Sequence, residues 1–116
     1  MGREDCVFCQ IVDKKIASET IYEDDDLVAF HDINPQAPSH ILIVPRKHIT
    51  NLSAIEDEDT PLLGKLLVVA RDIAKENHLG EKGFRIALNE GKEGGQTIFH
   101  LHMHLLSGRR LMWPPG

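Results

Sequence analysis

The stretch that decides how this chain reads is His100-Leu101-His102-Met103-His104-Leu105-Leu106. Imidazole and apolar side chains alternate there with a period of two. Along a strand, successive side chains point to opposite faces. His100, His102 and His104 therefore share one face, and Leu101, Met103 and Leu105 share the other. On a helix, residues two apart point to nearly opposite sides, and the three rings could not converge. The spacing predicts a strand with an apolar face for a core and an imidazole face for something else.

Three uses of that face are open. It is a solvated strand side, a metal site in which histidines at i and i+2 share an ion, or a site for phosphoryl chemistry. The last draws on the unperturbed histidine pKa of ~6.5, which lets neutral nucleophile and cationic donor come from one residue type. Catalysis at phosphorus is mainly positioning and charge neutralisation, which such a cluster supplies. Just upstream, Gly94-Gly95-Gln96-Thr97 adds weight to it. Glycines let backbone N–H groups approach an anion closely, Thr97 offers a hydroxyl and Gln96 an amide. Alone, the glycines equally fit a plain hairpin turn.

Working outward, 116 residues suit one domain over 1–116, and a 41% hydrophobic, 27% charged composition argues against disorder. Thirteen Lys and Arg against eighteen Asp and Glu leave a formal charge of −5. That balance disfavours nucleic-acid partners, which call for a basic stripe, yet permits a small anionic ligand held by local donors. No apolar run approaches the ~20 residues of a membrane span. Met1-Gly2-Arg3-Glu4-Asp5-Cys6 has neither a signal-peptide core nor the Ser/Thr of a myristoylation site. A cytoplasmic location with no membrane partner is the expectation.

The remaining pattern predicts a mixed fold. Phe8, Ile11 and Val12 have helical spacing, so a short helix is expected near the cysteines. Ile21-Tyr22 and Leu27-Val28-Ala29-Phe30 read as strands around an Asp24-Asp25-Asp26 turn, and Ile41-Leu42-Ile43-Val44 as a buried strand stopped by Pro45. A long helix is predicted from Pro61 to His78, with Thr60 as N-cap, Pro61 as first helical residue and Gly80 as the stop. Its apolar stripe is Leu63, Leu66, Leu67, Ala70, Ile73 and Ala74. Phe84, Ile86 and Leu88 alternate as a strand, and Gly91 to Gly95 reads as a tight connection.

Two cysteines are too few for a disulfide scaffold. Their spacing, Cys6-Val7-Phe8-Cys9, fits a metal knuckle, a redox dithiol or a pair of buried thiols. The redox reading is the weakest, because the pair precedes any strand.

The histidine segment matches, without departure, the His-apolar-His-apolar-His-apolar-apolar signature of the histidine triad superfamily. Phe30-His31-Asp32-Ile33-Asn34-Pro35-Gln36-Ala37-Pro38-Ser39-His40, Asn89-Glu90-Gly91, Gly94-Gly95-Gln96 and Trp113-Pro114-Pro115-Gly116 resemble its Hint branch. The likeness runs from about Phe8 to the C-terminus. The galactose-1-phosphate uridylyltransferase branch has glutamine at the third triad position, so His104 implies a hydrolase. The dinucleoside-polyphosphate (Fhit-like) branch shares the triad but not the Trp-Pro-Pro-Gly ending.

The resemblance implies an α+β fold: an antiparallel sheet of about five strands with one long and one short helix, extended across a homodimer. It implies binding of purine nucleoside monophosphates and hydrolysis of adenosine 5′-phosphoramidates. By position, His102 is then the nucleophile that takes AMP as a covalent adduct, and His104 bonds the α-phosphate. Thr97 stands near phosphate and leaving amine, while His40 and His100 form an ordering network. Asp32 corresponds to the ribose ligand, although an aspartate before Asn34-Pro35 is also an ordinary turn residue. Phe8, Ile11, Phe30 and Ile33 correspond to the base pocket, and Asn89, Gly95 and Gln96 to the phosphate side. The cysteine pair departs from many Hint proteins. It is similar to bacterial relatives in which Cys6, Cys9, His48 and His100 would bind a structural zinc. Alternatives are a non-catalytic nucleotide-sensing or protein-interaction module, a dinucleoside polyphosphate hydrolase, and a metallohydrolase with zinc on the triad.

Overall fold

The computed structural model describes residues 3–116; the reading of Met1 and Gly2 as carrying neither leader nor lipid lies outside them. A five-stranded sheet is built from β1 (Thr20–Glu23), β2 (Leu27–His31), β3 (Ser39–Pro45), β4 (Phe84–Ala87) and β5 (Met103–Ser107). Its order is β1-β2-β3-β5-β4, and every neighbouring pair is antiparallel. The helices are α1 (Val7–Val12), the long α2 (Thr60–Glu76) and the single turn α3 (Gly91–Gly94). This is the expected α+β class, with one extra helical turn where the glycine-rich segment was read as a tight connection. Extension of the sheet into a second chain is not part of the structure.

Both faces of the sheet are covered, which explains why Leu27–Phe30 and Ile41–Val44 are continuous apolar runs. On one side Leu27, Ala29, Ile41 and Ile43 pack against Leu66, Val69, Ala70 and Ile73 of α2. On the other, Val28, Phe30, Leu42 and Val44 pack against Phe8, Cys9 and Val12 of α1. The histidine strand obeys the same division. Leu101, Met103 and Leu105 join the α2 side, so the imidazoles fall on the α1 side. Only His104 of the three lies in the ladder, since β5 begins at Met103. The preceding residues are extended but tied elsewhere, the Leu101 amide donating to the Ile49 carbonyl at 2.6 Å.

The β1–β2 hairpin turns on Asp24. Its Oδ1 accepts from the Asp26 and Leu27 amides at 2.7 and 2.8 Å, and its Oδ2 meets Lys65 of α2 at 2.9 Å. Helix α2 starts and stops differently from expectation. A 3-10 turn at Asp57–Asp59 feeds directly into it, so Asp59 is the N-cap and Thr60 is already helical. The Thr60 hydroxyl donates to the Asp57 carbonyl instead of capping a free amide. At the other end Asn77 caps, its side chain donating to the Ile73 carbonyl at 2.8 Å. His78 takes the left-handed conformation, with φ of 57°, and Gly80 sits within a following 3-10 turn. The stripe is also rotated: Val69 is buried and Leu67 is 53% exposed. Among the described residues no helix is long and apolar enough to cross a membrane.

Candidate active site

The three imidazoles are ordered by main-chain and side-chain bonds that also set their tautomers. The His102 Nδ1–H donates to the His100 carbonyl at 2.7 Å. Its Nε2 is therefore the unprotonated nitrogen. The Gln36 amide donates to His40 Nδ1 at 3.0 Å, so the His40 proton is on Nε2. That Nε2–H donates to His104 Nδ1 at 2.8 Å, which leaves His104 with its proton on Nε2. One ring thus offers a lone pair and its neighbour offers a donor. Their centroids are 4.9 Å apart.

Burial keeps these rings neutral. It pushes His102 below the ordinary histidine value, the bond to the His100 carbonyl and the Asp32 carboxylate opposing it. Burial, reinforced by His102 and His40, brings His104 down to about 4. Burial lowers His40 as well, against the pull of Asp32. A neutral imidazole is the nucleophilic form.

Both His102 and His104 open into a cavity of about 210 Å³. Phe8, Ile11, Phe30 and Ile33 give it an apolar wall, and Asp32 and Thr97 give it polar groups. Phe8 anchors that wall, edge-on to His102 at 5.0 Å and to Phe30 at 5.6 Å. Ile33 is 98% exposed. Asp32 has two tasks already. Its Oδ1 accepts from the Asn34 amide at 2.9 Å, the turn role weighed above, and its Oδ2 lies 3.5 Å from His40 Nε2.

Not every residue singled out on the phosphate side faces this cavity. Asn89 lines a second cavity behind His104. Gln96 is buried, and its amide bonds the Thr50 and Ile98 carbonyls and the Gly91 amide. It shapes the α3 loop, and its backbone N–H is committed there too, donating to the Gly91 carbonyl at 3.0 Å, as the Gly95 N–H donates to the Lys92 carbonyl at 3.2 Å. Gly95 has a φ of 85°, the left-handed cap that ends α3. Sequence reasoning did not find Arg85 and Arg109, which line the second cavity. Nothing in their local sequence marks them.

His100 points away from the cavity. Its Nε2–H donates to the Pro45 carbonyl at 2.8 Å, so the Nδ1 lone pair faces Cys6 Sγ at 3.3 Å and Cys9 Sγ at 3.5 Å. His48 Nδ1 lies 3.2 Å from Cys9 Sγ. All four ligand atoms lie within 4.8 Å of one another, a cluster that can hold a metal ion. The tension over His100 serving both cluster and triad resolves by division of labour. Its ring belongs to the cluster, and its carbonyl orients His102. The thiols are free and buried, and burial, with Cys6 adding to it, raises Cys9 to about 11.

An antiparallel sheet in which β5 and the extended residues before it carry alternating imidazoles, two of them on a small apolar-walled cavity, defines a histidine-triad domain. Comparison with known proteins agrees. The family model described as the HIT domain matches residues 13–111. An uncharacterized HIT-like protein of Synechocystis is 48% identical over 113 residues, 97% of this chain and 98% of that one. The crystal structure of a HIT family hydrolase from Legionella pneumophila superposes with a TM-score of 0.94 at 43% identity, covering 97% and 100% of the two chains. A Zn-bound histidine triad family protein from Mycobacterium smegmatis gives 0.80 at 34% identity, covering 93% and 78%. The chain belongs to the HIT family.

Proposed function

We propose that this chain is a nucleotide-binding hydrolase that cleaves the P–N bond of adenosine 5′-phosphoramidates through a covalent AMP–histidine intermediate. The observation that carries this is the His102–His104 pair: a freed Nε2 lone pair beside a fixed Nε2–H donor, on one cavity wall. The Legionella relative's description as a hydrolase supports the reaction class.

The purine lies between Phe8, Ile11, Phe30 and Ile33, and Asp32 accepts from the ribose hydroxyls, two O–H bonds being within a carboxylate's capacity. His102 Nε2 attacks phosphorus and forms the new P–N bond while the bond to the amine breaks. The departing nitrogen keeps that bond's electron pair and takes a proton from the Thr97 hydroxyl, which solvent resupplies. His104 Nε2–H neutralises the phosphate oxygens, while the Gly95 and Gln96 amides stay committed to the Lys92 and Gly91 carbonyls of the α3 loop. Water then attacks the adduct, gives up a proton, and releases AMP and neutral His102. Splitting the hydrolysis replaces one hard step with two easier ones. Quenching the protein with adenosine 5′-phosphoramidate and mapping its peptides tests this. AMP on the peptide containing His102 is expected, and turnover with no adduct refutes it.

The Cys6, Cys9, His48 and His100 cluster is read as a zinc site. Sulfur–nitrogen spacings of 3.2–3.5 Å fit a tetrahedral shell, in which Zn–S and Zn–N bonds of ~2.3 and ~2.0 Å put those atoms about 3.5 Å apart. Two thiolates and two imidazoles would close that shell, so zinc there would supply structure and leave no open position for substrate. The homodimer reading is supported by the exposed edge strand β4 with Phe84, and by Leu67, Val68, Met112 and Trp113 at the surface. Purine nucleoside monophosphates and their phosphoramidates are the small-molecule partners in this reading. Free thiols fit a cytoplasmic setting.

A further inference from the structure

We infer that the cavity behind His104 is the leaving-group subsite, and that Arg85 and Arg109 within it select amines that carry a carboxylate. The inference rests on the hydrolase reading above and names the substrate class of that same site.

Two cavities meet at the triad. The first, of about 210 Å³, contains both His102 and His104. The second, of about 380 Å³, shares His104, adds His40, Asn89 and Gly94, and lacks His102. Displacement at phosphorus places the leaving atom roughly in line with, and opposite to, the attacking atom. With the nucleoside beside Phe8 and Phe30 and His102 attacking, the departing nitrogen takes its proton from Thr97, which lines the first cavity, and the group it carries extends past His104 into the second.

The two arginines in that cavity differ from three others of this acidic chain. Arg3, Arg46 and Arg71 each meet a carboxylate. Among the described residues, Arg85 and Arg109 meet only main-chain carbonyls. Arg85 Nη2 donates to the Leu111 and Met112 carbonyls at 3.3 and 2.8 Å. Arg109 Nε donates to the Gln36 carbonyl at 2.9 Å, and its Nη1 to the Arg110 carbonyl at 3.2 Å. A guanidinium has five N–H donors, so Arg85 keeps Nε and Nη1 free and Arg109 keeps Nη2. The carbonyl bonds hold both groups in place without neutralising them. A fixed cation with spare donors suits a carboxylate, and Leu106, Leu111 and Pro115 supply an apolar wall for the short stem between amine and acid. The substrate this fits is an amino acid joined to AMP through its amine. On cleavage the amine departs with a proton and the bonding pair, and its carboxylate is unchanged.

The test compares kcat/KM for AMP joined to glycine and AMP joined to glycinamide. Each is measured in the wild-type protein, Arg85→Gln and Arg109→Gln. Taking the glycine-to-glycinamide ratio within each protein, then comparing proteins, cancels the different basicities of the two amines. The ratio is expected to fall about tenfold in each variant, the effect of losing roughly one charge-assisted hydrogen bond. Two positions keep the test independent of the C-terminal segment that Arg85 holds. Cleavage of both substrates with a ratio unchanged in both variants overturns the subsite and leaves the hydrolase standing. Failure of the wild-type protein to cleave either substrate overturns the hydrolase reading and this inference with it.

Discussion

At the scale of single residues, the site works because each imidazole is committed to one tautomer. His102 spends Nδ1–H on the His100 carbonyl, and His104 spends its Nδ1 lone pair on His40. His102→Ala is therefore expected to abolish turnover of adenosine 5′-phosphoramidate while AMP affinity stays within roughly tenfold, because that contact strengthens mainly in the transition state. Kinetics alongside calorimetric AMP titration would check both halves. The period-two pattern was enough to place these rings on one face. Of the partners that set their protons, His40 was named only through the family resemblance, and Gln36 and Pro45 were not legible, because they reach the triad only through the folded chain.

Between elements, the β1–β2 hairpin and α2 are joined through one carboxylate. Burial alone would raise Asp24, yet bonds from Tyr22, the Asp26 and Leu27 amides and Lys65 hold it below the usual carboxylate range. A carboxyl depressed on folding stabilises fully above its unfolded value of about 3.9, and the contribution is lost as pH falls through that value and below. Asp24→Asn is expected to cost roughly 1–3 kcal/mol at neutral pH, and the gap from wild type to close in urea melts below pH 3. Helix α2 offers a second contrast. Ile73→Ala, in the core, is expected to cost about 2–5 kcal/mol. Leu67→Ala, half exposed, is expected to cost under about 1 kcal/mol in dilute monomer. Both residues belonged to the stripe read from the sequence. Helical spacing gives the width of such a stripe but not its rotation against a sheet, and here Val69 took the place of Leu67.

For the whole molecule, Cys6 and Cys9 meet a histidine more than ninety residues away in the chain. If they bind zinc with His48, metal affinity becomes folding free energy. Elemental analysis of protein purified without added metal is expected to give about one zinc per chain. Cys6→Ser with Cys9→Ser is expected to lose the metal and lower Tm, with turnover surviving in part because His102 is no ligand. Metal-free wild-type protein of normal stability would remove the zinc reading. Light scattering at micromolar concentration is expected to report twice the 13.0 kDa chain mass, and a monomer would remove the homodimer.

What the sequence by itself determined is whatever depends on local period and chemistry. Alternation assigned the histidine strand its two faces, apolar runs marked β2 as a strand and β3 as a buried one, and the Asp24 turn signalled its hairpin. Tertiary structure decided what depends on contact between distant segments. It rotated α2 on the sheet, drew the Gly91–Gly94 turn into helix, and divided His100 between a ring in the cysteine cluster and a carbonyl on the nucleophile. It also brought Arg85 of edge strand β4 and Arg109, beyond β5, into one cavity with His104. The reason is physical. A residue's neighbours at two or four positions follow from backbone geometry, while partners from distant segments meet only when the sheet closes its register and buries both faces.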